Sequence, residues 1–110
     1  MANKYLRKHL IPAAATETTI YTVPAANTAI ASSLRITNAN STSSTLNVTV
    51  YPLGGATANY LLRSYSLPVN SVMDALSGVP LVLEASDVLK VSSTEADVTF
   101  YLSYLEVDRN

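Results

Sequence analysis

The chain has 110 residues, no cysteine, and a net charge of -1 from seven Lys/Arg against eight Asp/Glu. That length makes one domain, able to bury roughly two thirds of its unfolded surface without metal or disulfide staples. The missing thiols exclude a disulfide framework, a thiolate metal site and a cysteine nucleophile, and the charge balance excludes a global basic field for nucleic acid.

Residues 1–16 differ in character from the rest. Lys4, Arg7, Lys8 and His9 stand beside Tyr5, Leu6, Leu10 and Ile11, and Pro12-Ala13-Ala14-Ala15 follows as a small-residue linker. The segment holds three of the seven Lys/Arg. It has no apolar stretch of signal-peptide length, and nowhere does the chain approach the ~20 apolar residues of a membrane helix. The expectation is an N-terminal extended arm over 1–16 and a β-sandwich domain over 17–110. Lys4, Tyr5, Leu6, Arg7, Lys8 and Leu10 are then the partner-binding residues, adding a strand to a neighbour or reaching a negative surface. A frayed terminus, or the first strand of the same sandwich, is the competing reading.

From residue 17 the dominant period is two. Thr18 to Val23 is β-branched and aromatic throughout, and Pro24 stops it. Ile30, Leu34 and Ile36 share one parity, which predicts one apolar face. Leu46, Val48 and Val50 alternate with Asn47 and Thr49, the pattern of a half-buried strand. The small polar stretch Asn38 to Ser44 joins these two strands as a loop. Gly54-Gly55 reads as a turn needing positive φ. Asn59 to Leu67 is a further strand, ended by Pro68. Val69, Val72, Met73 and Leu76 fit a helical stripe, but the stretch is short, and a strand plus loop is the preferred reading. Leu81 to Leu83 is a short buried strand, Glu84 to Asp87 a tight turn, Val88 to Ser93 the next strand and Asp97 to Val107 the last. Seven or eight short strands at this spacing predict an all-β fold, a jelly-roll-like antiparallel β-sandwich.

Catalysis fails on residue types. A Ser/His/Asp triad would need His9, the one histidine, which sits in the arm. Asp74, Glu84, Asp87, Glu95 and Asp97 fall in or beside predicted turns, where solvated acids ordinarily sit, so paired-carboxylate chemistry finds no cleft. The acids lack EF-hand-like spacing, although Glu95 and Asp97 could offer calcium oxygen ligands. No enzyme activity and no cofactor are expected.

The surface composition points elsewhere. Charged residues make up 14% of the chain, and 13 Ser and 12 Thr fill the gap, against about 25% charged in average domains. Two readings stay open: faces made to be desolvated in an assembly, whose interface cores are poor in charge, or Thr in strands and Ser in turns of an ordinary β-protein. Seven Tyr accompany one Phe and no Trp. Tyr51, Tyr60, Tyr65, Tyr101 and Tyr104 lie on or near predicted strands and suit protein interfaces, with sugar stacking as the competing use.

The stretch Glu17 to Asn38, with Tyr21-Thr22-Val23-Pro24-Ala25 ending one strand and Thr37-Asn38 cornering the next, resembles small β-sandwich structural proteins of tailed bacteriophages. Leu81 to Leu89 resembles their element of apolar strand, turn, Asp and strand, except that Ser86 stands where they commonly have Gly. The resemblance spans about residues 17–107. It implies a virion protein, made in the host bacterial cytoplasm, and most specifically a capsid cement or decoration protein that clamps neighbouring major capsid subunits. A trimer is the favoured homo-oligomer, with neither nucleic acid nor membrane as partner. A tail, neck or fibre-associated subunit, or a carbohydrate-binding module, is the alternative.

Overall fold

The period-two segments become nine strands in a computed structural model that describes residues 3–55, 57–76 and 79–108. They are β1 (Asn3–Leu10), β2 (Thr18–Thr22), β3 (Asn27–Asn38), β4 (Ser44–Tyr51), β5 (Asn59–Leu67), β6 (Val72–Asp74), β7 (Leu81–Leu83), β8 (Val88–Ser93) and β9 (Val98–Asp108). One sheet has the order β1-β9-β3-β6, with β7 also on β3, and the other the order β2-β8-β4-β5. All pairings are antiparallel.

β6 and β7 lie along the same edge of β3, opposite Arg35 to Thr37 and opposite Ala29 to Ala31. Taken together they are one strand interrupted between residues 74 and 81. The pairs β1 with β9, β2 with β8, β3 with β6/β7 and β4 with β5 are then nested, first with last. A ribbon so nested and wrapped into two sheets is a jelly roll, the arrangement expected from the strand spacing. Asp74 holds the interruption in place: its Oδ1 accepts from the backbone N–H of Leu34 at 3.1 Å and of Leu76 at 3.0 Å.

The core lies between the sheets. Leu34, Ile36, Leu46, Val48, Leu83, Leu89, Val91, Val98, Phe100 and Leu102 are among its fully buried members. Apolar burial of this kind, at roughly 1.5–3 kcal/mol per large side chain, is the driving term. The strand patterns put these residues there by simple alternation in β4, β8 and β9. Val72 to Asp74 is the strand preferred over a helical turn; Met73 and Leu76 pack inward while Val69 and Val72 stay exposed.

β3 departs from simple alternation. Ile30 does not share the inner face with Leu34 and Ile36. Ala29 and Ala31 are fully buried, and Ile30 faces out. The cause is a bulge: Ala31 pairs with Tyr104 and Ser33 with Ser103, so Ser32 is an extra residue. One inserted residue reverses the parity of everything before it. Leu81 to Leu83 is likewise an edge strand with only Leu83 fully buried, and Val82 faces solvent.

Residues 3–10 pair with β9 along their whole length, from Asn3 opposite Val107 to Leu10 opposite Phe100. β1 is thus the first strand of the nested ribbon and the outermost strand of its sheet. Among the described residues no helix is long and apolar enough to cross a membrane.

Candidate partner-binding site

The residues singled out in the first segment occupy one strand. The pleat puts Lys4, Leu6, Lys8 and Leu10 on the face shared with the buried Phe100, Leu102 and Tyr104, and Tyr5, Arg7 and His9 on the outer face. Leu10 alone reaches the core, packing against it half-buried. Lys4 to His9 are exposed, Tyr5 at 86%. His9 is a surface residue: Arg7 donates to its Nδ1 at 3.3 Å, and its ring lies parallel to Tyr101 with centroids 6.3 Å apart.

The outer face of this sheet carries a feature that alternation alone hides. Tyr5 is opposite Leu105, Leu105 opposite Ile30, and Ile30 opposite Val82. Directly opposed residues of antiparallel strands share a face. The four side chains therefore form one apolar row across β1, β9, β3 and β7. Its ends are the most open, with Tyr5 at 86% and Val82 at 61% exposure. Beside the row lie Ser103 and Ser33, paired across β9 and β3, with Ser32 donating to the Ser103 carbonyl at 3.1 Å. Arg7 is opposite Ser103 in this second row, and His9, Tyr101 and Arg35 form the next, with the Arg7 guanidinium 5.9 Å from the Tyr101 ring centre. Ile30 and Val82 are the residues that sequence reasoning missed. The bulge at Ser32 reverses Ile30, and the buried reading of Leu81 to Leu83 conceals Val82.

The acids are occupied with structure. Asp87 Oδ1 accepts from Leu53 N–H at 3.0 Å and Oδ2 from Glu84 N–H at 2.9 Å, fixing the turn between β7 and β8. Asp74 does similar work beside β6. These two are backbone caps, where the sequence reading has solvated acids. Glu95 Oε1 accepts from the Thr42 hydroxyl at 3.2 Å. Glu106 accepts from the Tyr21 hydroxyl at 2.6 Å and from Asn27 Nδ2 at 3.1 Å, tying β2 of one sheet to β9 and β3 of the other. Burial, and then the Glu106 carboxylate, push the Tyr21 phenol far above its ordinary value. Tyr104, its ring 4.3 Å away, is raised for the same reasons in the same order.

The opposite sheet shows a second aromatic group. Tyr51 donates to Glu17 at 3.0 Å, which raises its phenol, and Lys90 Nζ sits 4.7 Å from its ring centre. The Arg63 guanidinium lies 5.1 Å from the centre of the Tyr60 ring. Each ring thus carries a cation on one of its faces.

No family model matches the chain, and no curated protein sequence does. Solved structures share its fold. A chain in the structure of infectious bursal disease virus, Gx strain, superposes with a TM-score of 0.53 at 11% identity, over 96% of this chain and 33% of that one. The VP2 subviral particle of infectious bursal disease virus gives 0.50 at 11% identity, over 97% and 33%. A pentameric capsid protein isolated from metagenomic phage sequences gives 0.45 at 19% identity, over 97% and 62%. The chain thus spans about a third of the length of the two virus chains. The first two likenesses establish a shared two-sheet architecture.

Proposed function

We propose that this chain is a virion structural protein, and within that class a capsid cement (decoration) protein that clamps neighbouring major capsid subunits of a bacteriophage shell. The observation that carries the reading is the outer face of the β1-β9-β3 sheet, where Tyr5, Leu105, Ile30 and Val82 line up beside serines. The row and its serines cost little to desolvate, since apolar and hydroxyl groups stand where charges would resist burial, with Arg7 and Arg35 flanking them. A row running across four strands is continuous, unlike the scattered apolar residues of ordinary surfaces. The likeness to chains from virus structures supports the setting, and the phage resemblance of residues 17–107 supports the finer reading. A homotrimer over a junction between shell subunits would use one copy of the face per contact and close its own symmetry.

The test is the copy number of the protein in purified particles, by quantitative mass spectrometry. Stoichiometry with the shell subunit is the expected result; a handful of copies per particle replaces the cement role with a tail, neck or fibre-associated one. Ile30→Lys with Val82→Lys should leave the melting temperature near that of the parent and abolish attachment to shells. Undiminished attachment would remove the face from the argument.

A further inference from the structure

We propose that the free edge of β1 is a strand-addition site for an acidic, extended segment of a partner protein. Read from opposite Lys8 toward Lys4, that segment has the pattern acid, acid, apolar, apolar, acid. The inference rests on the assembly role above and names the chemistry of the partner.

Three observations converge. First, β1 pairs with β9 across Asn3–Leu10 and ends the sheet order. Alternate backbone N–H and C=O groups along its other side therefore point away from the sheet, the template that strand addition uses. Second, the charge on this edge has a single sign. Lys4, Arg7 and Lys8 lie within five positions, and the first acid in the chain is Glu17. Glu106, opposite Lys4 on β9, is engaged by Tyr21 and Asn27. Third, the apolar row ends at Tyr5, the most open large apolar side chain of the described residues, at 86% exposure. A strand added at the usual spacing of about 4.8 Å continues that row by one residue.

Register then fixes the partner's chemistry. In an antiparallel partner, acids face Lys8 and Arg7, an apolar residue meets Leu6 on the inner side, and another lies beside Tyr5 on the outer side. The last acid faces Lys4. Parallel addition asks for the same residues in reverse order. Lysines on edge strands ordinarily keep sheets from joining. Here they also select, because a second copy of β1 brings its own three cations whereas an acidic strand brings their complement.

The experiment uses the full chain and two fluorescent peptides. One has a Glu-Glu-Val-Ile-Glu core flanked by threonines; the other has Lys at each Glu. Anisotropy should show the acidic peptide binding at least about tenfold tighter, since three cross-strand pairs change from attraction to repulsion. The preference should shrink with salt and reverse in the triple variant K4E/R7E/K8E. Hydrogen exchange on the unmodified protein should show new protection of β1 amides with the acidic peptide, a reading that stands even if the triple variant folds poorly. Equal binding of both peptides overturns the proposal, as does protection outside β1. Protection of β1 that rises with protein concentration alone assigns the edge to a second copy. Displacement of the peptide by a single-stranded oligonucleotide at equal concentration assigns it to phosphate. Undiminished shell attachment by K4E/R7E/K8E sinks the edge site and leaves the assembly role standing. Failure of the unmodified protein to attach sinks the assembly role itself.

Discussion

Asn38 ends β3 at the Thr37-Asn38 corner and is fully buried. Its Nδ2 donates to the carbonyls of Thr42 at 3.0 Å, Leu67 at 3.1 Å and Pro68 at 3.2 Å, and its Oδ1 accepts from Asn40 N–H at 2.9 Å. One amide thus joins the ends of β3 and β5 to the loop leading into β4. Replacing it by Ala strands at least two carbonyls and one N–H out of reach of protein donors and acceptors. At about 1–2 kcal/mol for each of the three groups left unsatisfied, the loss is roughly 3–6 kcal/mol. That is a large share of the ~5–15 kcal/mol available to a domain, so the variant should fold with a much lower urea midpoint. Asn38→Asp is the sharper probe, being isosteric. Near neutral pH it turns a carboxylate oxygen toward the three carbonyls. Its folded pKa must then rise above the unfolded value of about 3.9. A raised folded pKa means stability present at low pH and lost as pH climbs, so this variant should recover part of its deficit as pH falls from 7 toward 4. Urea melts followed by tyrosine fluorescence or far-UV circular dichroism measure both. Variants within 0.5 kcal/mol of the parent, a tolerance usual for surface changes, would refute the staple.

Ser86 sits in the left-handed region, φ 69, at the third position of a turn closed by Asp87 N–H to the Glu84 carbonyl at 3.1 Å. Glycine is free of that strain, so Ser86→Gly should raise stability by up to about 1 kcal/mol despite the extra chain entropy; a loss in thermal melts would contradict it. Thr49 is buried, and its hydroxyl has no hydrogen-bond partner among the described residues. Thr49→Val should therefore be neutral or stabilising by up to about 1 kcal/mol, and a cost above that in denaturant titrations argues for a hidden partner. Tyr21 holds its proton in the fold above the unfolded value near 10, so stability present below that pH should fall as pH rises past it. Tyr21→Phe should flatten this alkaline slope and cost about 1–2 kcal/mol at neutral pH through the deserted Glu106; an unchanged slope between pH 9 and 11 would assign it to other groups.

Where side chains alternate without interruption, the sequence is enough. Leu46, Val48, Val98, Phe100 and Leu102 face inward as their spacing demands, and the bounds of β5, β7 and β8 follow from Pro68, Pro80 and the Glu84 to Asp87 turn. The candidate face is another matter. Its central residue, Ile30, belongs by spacing with Leu34 and Ile36, and only the extra Ser32 turns it outward. A serine among Ala, Ser and Leu gives no local sign of a bulge, because the bulge is set by pairing with β9, far along the chain. Asp74 and Asp87 read as solvated acids for a related reason: the N–H groups they cap come from Leu34 and Leu53. Turn propensity locates such acids but does not reveal what they hold.

The same distribution of charge bears on how the molecule meets a partner. Asp74, Asp87, Glu95 and Glu106 accept hydrogen bonds within the fold, and Glu17 accepts from Tyr51. Of the cations, Lys90 and Arg63 lie over tyrosines of the opposite sheet. Lys4 and Lys8 stand exposed on the inner-facing side of β1, and Arg7, on its outer side, leans on Tyr101. A nearly neutral chain thus presents a local positive edge, because Lys4, Arg7 and Lys8 cluster on β1, which contains no acid. At the proposed site the exposed charges would chiefly steer encounter and select the partner, while the desolvated row and backbone pairing along β1 would supply most of the binding energy. The two parts should therefore separate experimentally. Arg7→Gln with Lys8→Gln should slow association and weaken its salt dependence, whereas Ile30→Ser should speed dissociation. Surface plasmon resonance against immobilised shells resolves the two rates, and a change confined to dissociation in the Gln variant would show that the edge charges hold the partner rather than guiding it.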